Sequence, residues 1–316
     1  MRNKAVDASL APQTPVWQRI KRDLYNNRHI YLMLLPVVLY YILFHYQPMY
    51  GAQIAFKNFS PVRGIWGSKW VGLKHYQAFF RSYYAWRIIR NTLVLNLYQV
   101  FFGFPAPIIL ALLLNELYST GYKRTVQTLT YLPHFISLVV VCGIILDFLA
   151  RDGAVNEILQ LFGIKPIPFM VLPEWFRFVY VSSSIWQQIG WGSIVYLAAL
   201  SAIDQELYEA AKVDGAGRWR QTWAVTIPGI APTIIIMLIL RMGRMMNIGL
   251  EKVLLLYNPN IYETADVIST FVYRKGLLEM SFSYSTAVDL FNSVINFLML
   301  VIVNRMSRSM TRTSLW

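Results

Sequence analysis

Six long apolar segments separated by polar connections dominate the hydrophobic pattern of this chain. They lie at about Ile30–Tyr46, Asn91–Leu117, Val126–Leu149, Trp175–Ala202, Gly229–Gly249 and Thr286–Asn304. The shortest has roughly 17 residues, which rise about 26 Å as an α-helix and so just cross the hydrocarbon core of a bilayer. The pattern therefore predicts an all-α polytopic membrane protein with about six transmembrane helices.

Composition agrees with a membrane location. Only 14% of the 316 residues are charged and 56% are hydrophobic, whereas soluble domains carry about 25% charged residues. The formal net charge is +13, but the basic residues lie mostly between the apolar segments, where lipid headgroups and membrane orientation account for them. No stripe of Lys and Arg interleaves with aromatic residues in a polar domain, so a nucleic-acid partner is not expected.

The sequence contains no cluster of metal ligands or catalytic groups. Cys142 is the only cysteine, which excludes an internal disulfide and a cysteine-based metal site. The four histidines are scattered without metal-ligand spacing. No Gly-x4-Gly-Lys-Ser/Thr phosphate loop, catalytic triad or paired-carboxylate motif occurs. The chain is therefore expected to be no enzyme and to hold no metal or other cofactor of its own.

The polar ends and connections complete the predicted organisation. It comprises a cytoplasmic N-terminal segment (1–29), a transmembrane domain (30–304) with an outer loop (48–88), and a cytoplasmic tail (305–316). Trp17, Leu24 and Tyr25 recur at helical spacing, which fits either a helix on the inner membrane surface or a simple extension of the first span. Basic residues precede the first span and none follows it until Lys57, and no cleavable signal is evident. With an even number of spans, we expect both termini inside.

A polar hairpin at residues 204–228 separates the fourth and fifth apolar segments. Residues 204–212 are helix formers with acidic residues toward the start, where the helix dipole favours them. Asp214–Gly215 is a turn signal. Trp219 and Trp223 follow at a spacing of four, so both rings share one helix face. The pattern predicts a short helix–turn–helix anchored by a span at each end.

This hairpin resembles the EAA loop of ABC importer permeases. That signature reads Glu-Ala-Ala, three residues, Gly, nine residues, and then aliphatic-x-aliphatic-Pro, and it is matched by Glu209, Ala210, Ala211, Gly215, Val225, Ile227 and Pro228. The resemblance implies a coupling helix that docks in a cleft of a cytoplasmic ATPase, with Glu209 facing a basic group there. The residues expected to carry the coupling are Glu209, Ala210, Ala211, Asp214, Gly215, Trp219 and Trp223.

Further segments are similar to the carbohydrate, maltose-permease-like branch of this family, in particular to permeases for complex plant or algal oligosaccharides. They are Gly72–Phe80, Tyr131–Pro133, Gly153–Asn156, Trp186–Trp191 and Tyr196–Leu200. Asp204 departs from the pattern, since many relatives have proline there. The resemblance covers most of residues 30–304 and implies the type I importer permease fold.

What this resemblance implies about function is specific. The chain would be one pore-forming subunit of a bacterial oligosaccharide importer in the cytoplasmic membrane. Its expected partners are a second permease subunit, two ATPase subunits that bind ATP and Mg, and an extracytoplasmic solute-binding protein that delivers the sugar.

Polar residues inside the apolar segments are candidates for a substrate pathway. Arg241 and Arg244 lie three apart in the fifth segment, and a central Arg costs roughly 3 kcal/mol in a membrane helix. They either pair with Asp147 and Asp289 in a buried network, or line the pathway and attract the carboxylates of an acidic, uronate-containing sugar. Further candidates, for which packing is the alternative role, are Asn96, Tyr98, Gln99, Trp186, Gln187, Gln188, Trp191, Asn247, Asn292 and Asn296.

Two other classes of function compete with the importer. A secondary transporter driven by an ion gradient would show inverted repeats with broken helices at the membrane midplane. A membrane enzyme acting on lipid-linked sugars would need a reactive carboxylate or a metal cluster at the interface. The sequence shows neither pattern.

Overall fold

A computed structural model describes residues 16–311 of the chain. The described residues divide into two compact units, one that ends at Gln53 and one that begins at Ile54. Helix α1 (Val16–Asn26) and helix α2 (Arg28–Tyr41) belong to the first unit, and α2 continues through a π-helical turn (Ile42–Tyr46) and α3 (Gln47–Met49) into a 3-10 segment (Tyr50–Phe56). The prediction for residues 1–15 lies outside the described residues.

Helix α2 carries apolar side chains, none of which is buried within this chain. The continuous helix Arg28–Phe56 is long and apolar enough to cross a membrane. It therefore ends later than the predicted first span, and the expected outer loop from residue 48 begins as helix.

The second unit opens with a small folded segment. Strands β1 (Lys57–Ser60) and β2 (Ser68–Trp70) pair antiparallel, with Lys57 opposite Trp70, and flank the short helix α4 (Gly64–Gly67). Helix α5 (Lys74–Arg81) follows and buries Phe79 against Phe271 and Phe291. The packing agrees with the folded connection expected here, although a two-stranded hairpin was not foreseen in an all-α chain.

The remaining elements are almost all helical. They are α6 (Tyr83–Tyr98), α7 (Pro105–Asn115), α8 (Thr120–Tyr131), α9 (Leu138–Phe148), α10 (Ala154–Leu161), α11 (Pro173–Ser201), α12 (Gln205–Val213), α13 (Arg218–Gln221), α14 (Ile227–Met242), α15 (Leu250–Leu256), α16 (Tyr262–Ala265), α17 (Ile268–Tyr273) and α18 (Phe282–Thr311). Shorter π and 3-10 turns are Gln99–Gly103, Leu132–Phe135, Thr222–Thr226, Pro259–Ile261 and Arg274–Leu278. The prediction of a helical polytopic membrane protein is confirmed.

Four described helices meet the length and hydropathy expected of a span: Arg28–Phe56, Tyr83–Asn115, Arg218–Met242 and Phe282–Ser309. A fifth arises if the pair Thr120–Phe135 and Leu138–Phe148, bent by 99°, counts as one. The break between them falls at residues 136–137, just after the 3-10 turn Leu132–Phe135 that contains Pro133. The predicted fourth span, α11, has 29 residues but is not among these, because its serines and glutamines lower its hydropathy.

The fifth and sixth predicted spans have different limits in the structure. The fifth helix begins at Arg218 and ends at Met242, so Arg244 and Asn247 lie in the turn beyond it rather than within a span. Helix α18 continues to Thr311, so the described part of the expected C-terminal tail is helical.

Helix α11 lies at the centre of the second unit. Its Gly190 packs on α8 so closely that an added Cβ would lie 2.1 Å from the Thr130 carbonyl oxygen. Toward its C-terminus, Tyr196 and Leu200 form a buried cluster with Ala111 of α7 and Ile230 of α14. These contacts hold α7, α8 and α14 around one central helix.

A buried carboxylate not foreseen from the sequence ties other helices together. The Asp266 side chain is 0% exposed and lies 2.7 Å from an Arg274 nitrogen and 3.6 Å from an Arg87 nitrogen. Thr270 donates a 2.8 Å hydrogen bond to it, and Asn91 donates to the Asp266 backbone carbonyl. One acidic residue therefore links α6 with the α16–α17 region.

Candidate functional site

A cavity of about 520 Å³ opens within the second unit. Its walls come from α6 and α7 with the π turn between them, from α11, and from the end of α14 with the turn that follows it. The polar residues that line it are Asn96, Gln99, Tyr180, Ser184, Gln188, Tyr196, Arg241, Arg244 and Asn247. Amides, hydroxyls and aromatic rings are the groups that bind sugar hydroxyls and pyranose faces.

The cavity is cationic. Arg241 is half-buried in the last turn of α14 and Arg244 is exposed in the following turn, and both line the cavity. None of the described lining residues is Asp or Glu. Within residues 16–311 neither arginine forms an ion pair. The predicted pairing with Asp147 and Asp289 is therefore wrong, and Asp266 is the acid that the packing buries with arginines instead.

Three asparagines form a hydrogen-bonded group at one edge of the cavity. The Asn247 side-chain oxygen accepts from Asn292 Nδ2 at 2.9 Å and from Asn296 Nδ2 at 3.0 Å. The Asn296 oxygen accepts from the Met246 backbone N–H at 2.7 Å. Asn292 and Asn296 thus lie behind the lining and orient Asn247 by holding its side-chain oxygen.

Gln188 is oriented by a histidine to which the sequence assigned no role. His134 Nδ1 lies 3.0 Å from Gln188 Oε1, and because that oxygen only accepts, the ring nitrogen donates. The His134 ring stacks on Trp191 with centroids 4.5 Å apart. The stack fixes the His134 ring, and the ring in turn occupies the Gln188 oxygen. The amide N–H groups of Gln188 are therefore left to donate to a ligand.

Besides Asn292 and Asn296, four further sequence candidates lie away from the cavity lining. Gln187 is buried and donates a long, 3.4 Å hydrogen bond to the Ile136 carbonyl. Trp186 and Trp191 are exposed on other faces of α11, and Tyr98 contacts Phe102. None of these four side chains lines the cavity in this structure.

Three polar lining residues, Tyr180, Ser184 and Tyr196, were missed as pathway candidates. They belong to a strict spacing of four along α11, which reads Tyr180, Ser184, Gln188, Gly192 and Tyr196, all of which line the cavity. Residues spaced by four are neighbours along a helix surface. This row of polar and small residues in the sequence could therefore have identified Tyr180, Ser184 and Tyr196 as lining residues.

The polar hairpin consists of α12 and the start of the fifth span. Asp204 caps α12 by accepting from the Glu206 N–H at 3.0 Å, and Glu206 is the acidic residue in the first turn. Gly215 has φ +75°, a left-handed conformation that glycine adopts without strain. The chain then enters α13 and runs on as one helix to Met242. The second arm is therefore continuous with the fifth span, and no break separates them at Pro228.

Internal contacts make this hairpin stiff. Tyr208 Oη lies 3.1 Å from Thr226 Oγ1, joining α12 to the π turn. Gln221 donates to the Ala216 carbonyl at 2.7 Å, which closes the turn. At its base an added Cβ on Gly229 would lie 2.7 Å from Ile203. The two arms therefore move together.

The expected coupling residues form an exposed surface. Glu209, Ala210, Asp214 and Gly215 are exposed, and Ala211 is partly so. Trp219 and Trp223 are 81% and 68% exposed. Two tryptophans exposed to this extent beside an acidic helix are typical of a protein-docking surface.

Comparisons with known proteins match these features. The family model described as binding-protein-dependent transport system inner membrane component covers residues 103–311. The chain is 43% identical over 298 residues to Protein LplB of Bacillus subtilis (strain 168), covering 94% of this chain and 92% of that protein. It is 44% identical over 292 residues to the polygalacturonan/rhamnogalacturonan transport system permease protein YteP of the same strain, covering 92% and 91%.

A solved crystal structure is also similar. It is a bacterial ABC transporter involved in the import of the acidic polysaccharide alginate, with TM-score 0.87 and 44% identity over 93% of this chain and 99% of that one.

The chain belongs to the family of binding-protein-dependent transport system inner membrane components. It is an integral membrane permease subunit of an ABC importer, as its hairpin predicted. This membership replaces the two competing hypotheses, the ion-driven secondary transporter and the membrane enzyme.

Proposed function

We propose that this permease subunit imports acidic oligosaccharides, and that the cationic cavity is where their carboxylates bind during passage. The observation that supports this most directly is the presence of Arg241 and Arg244 in the lining without an acidic partner among the described residues. Arginine matches a carboxylate with two parallel hydrogen bonds. Unpaired arginines beside membrane helices are costly, so a ligand that supplies the missing charge is favoured.

The amides around the arginines add specificity for a sugar. Gln188 and Asn247 are each held through their oxygen by neighbouring side chains and so present donors to hydroxyl or carboxylate oxygens. The names of two similar proteins point the same way, since polygalacturonan, rhamnogalacturonan and alginate all contain uronic acids.

We further propose that the hairpin transmits ATP-driven motion. In this proposal Glu209 and the exposed tryptophans dock on a cytoplasmic ATPase, and the continuous helix from Arg218 to Met242 carries the displacement to Arg241 at its other end. Both termini and the hairpin lie in the cytoplasm.

The proposed assembly contains a second permease subunit, two ATPase subunits that hold ATP and Mg, and an extracytoplasmic solute-binding protein. A similar solved structure shows a bacterial alginate ABC transporter in complex with an alginate pentasaccharide-bound periplasmic protein, which supports this composition. No cofactor is assigned to the present chain.

ATP hydrolysis by the assembled complex tests the proposal. Binding protein loaded with oligogalacturonate should stimulate hydrolysis and uptake into proteoliposomes, whereas a neutral oligosaccharide of equal length should not. Arg241→Gln or Arg244→Gln should lower stimulation by the acidic sugar by about tenfold, the effect of losing one charge-assisted hydrogen bond. Arg151→Gln, an exposed arginine outside the lining, is the matched control.

Two outcomes would contradict the proposal. Equal stimulation of ATP hydrolysis by acidic and neutral sugars would contradict the proposal that the substrate is acidic. Uptake that persists without any ATPase subunit would remove the coupling role of the hairpin.

A further inference from the structure

A third cation lies directly behind the cavity wall. Lys252 of α15 is buried, with 6% of its surface exposed. Its ammonium donates to Ser184 Oγ at 2.6 Å and to the Tyr180 carbonyl at 3.3 Å, and it lies 5.0 Å from the centre of the Tyr180 ring. Ser184 and Tyr180 both line the cavity, so one side chain separates Lys252 from a ligand.

This lysine has no counter-ion among the described side chains. The ion pairs among residues 16–311 are Arg87–Asp266, Arg274–Asp266 and Lys275–Glu279. A buried ammonium without an anion is unfavourable, and neutral hydrogen bonds and a ring face offset only part of that cost. Its neighbours on α9 and α15 include Cys142 and Val253, which belong to one apolar cluster. The free protein therefore holds a positive charge that its own described residues do not balance.

Ser184 is placed to transmit the electrostatic effect of Lys252 to a ligand in the cavity. Its hydroxyl accepts from Lys252 and donates to the Tyr180 carbonyl at 2.7 Å. A hydroxyl that accepts from a cation becomes a stronger donor. Because hydroxyl hydrogens rotate, the Ser184 proton can turn from the helix carbonyl to an anion in the cavity while Lys252 remains bonded to the same oxygen.

We propose that Lys252 is a specificity-determining residue for acidic substrates, which it positions through Ser184. Together with Arg241 and Arg244 it forms a three-cation site whose counter-ions are the carboxylates of the bound oligosaccharide. The inference rests on the proposed function and extends it to a residue that lies outside the lining and that no sequence motif marks.

Direct binding to the assembled complex in lipid nanodiscs, without the binding protein, tests this role. The probes are oligogalacturonate and the same oligosaccharide with its carboxyls methyl-esterified. Lys252→Met keeps an unbranched side chain and removes the charge. It should weaken binding of the acid by about tenfold, as expected for one charge-assisted hydrogen bond, and leave binding of the ester little changed. Lys252→Arg should restore most of the preference, and Ser184→Ala should lose it although the charge remains.

The thermal midpoint of the ligand-free complex separates this role from a structural one. Lys252→Met should leave that midpoint unchanged or raise it, because it removes an uncompensated buried charge. An equal loss of affinity for acid and ester, or unchanged affinity for the acid, would overturn the inference. If Arg241→Gln abolishes the preference for acid while Lys252→Met and Ser184→Ala keep it, only the role of Lys252 falls. If the wild-type complex binds acid and ester equally, the acidic substrate falls and the role of Lys252 with it.

Discussion

Removal of the Asp266 charge should destabilise the subunit more than any other single acid-to-amide change. The carboxylate is fully buried, lies 2.7 Å from an Arg274 nitrogen and accepts a hydrogen bond from Thr270. The same residue's backbone carbonyl accepts from Asn91, whose side-chain oxygen accepts from Arg177 at 3.1 Å. The network therefore joins α6, α11 and α17, three helices far apart in sequence.

The size of the effect follows from what remains after Asp266→Asn. The amide preserves the volume and an acceptor for Thr270, but Arg87 and Arg274 lose their anion. Breaking a buried ion pair by removing one partner costs about 3–5 kcal/mol. Both arginine side chains keep 23% exposure, so water compensates in part, and we expect the lower end of that range.

Thermal unfolding of the purified complex in detergent, followed by tryptophan fluorescence, measures this difference. Glu279→Gln is the matched control, because it makes the same chemical change in an exposed pair with Lys275, where less than about 1 kcal/mol is expected. If the two variants unfold at the same temperature, Asp266 does not hold the helices together and the reasoning is refuted.

Two further predictions concern packing and coupling. Gly190→Ala should destabilise the subunit by about 1–3 kcal/mol, because the added Cβ would meet the Thr130 backbone. Gly143→Ala should be tolerated, because no atom lies within 4 Å of the added carbon. Equal thermal midpoints for the two variants would contradict this prediction. Glu209→Lys should leave the subunit expressed and folded, since the side chain is exposed, but should lower uptake relative to ATP hydrolysis in proteoliposomes; an unchanged ratio would separate Glu209 from coupling.

Local sequence patterns predicted the helices, helix caps and turns, which depend on interactions between residues that are close in sequence. The apolar runs gave the helices, and Asp204 and Gly215 marked the start of α12 and the turn after it. What could not be predicted depends on contacts between distant segments. Asp266 occupies a short polar stretch that looks like an ordinary loop, and only the packing of α6 against it makes the carboxylate a buried partner for Arg87. Arg244 fell outside its predicted span because the helix ends at Met242.

The polarity of α11 connects the fold to the proposed transport cycle. A helix with this many serines and glutamines is a poor lipid-facing span, and it is tolerated because its polar stripe faces a cavity rather than hydrocarbon. The hairpin joins the C-terminal end of this helix to the helix that ends at Met242 and carries Arg241 in its last turn. At the hairpin base Leu200, Ile230 and Ile203 pack together, so the two helices are joined where they enter it. In the proposed cycle, a displacement applied to the hairpin would move the amide-bearing wall and the arginine-bearing wall of the cavity relative to α6 and α7. Because the hairpin is connected to both walls, ATP hydrolysis in the ATPase subunits would change the affinity of the cavity for its substrate, although the cavity itself binds no nucleotide.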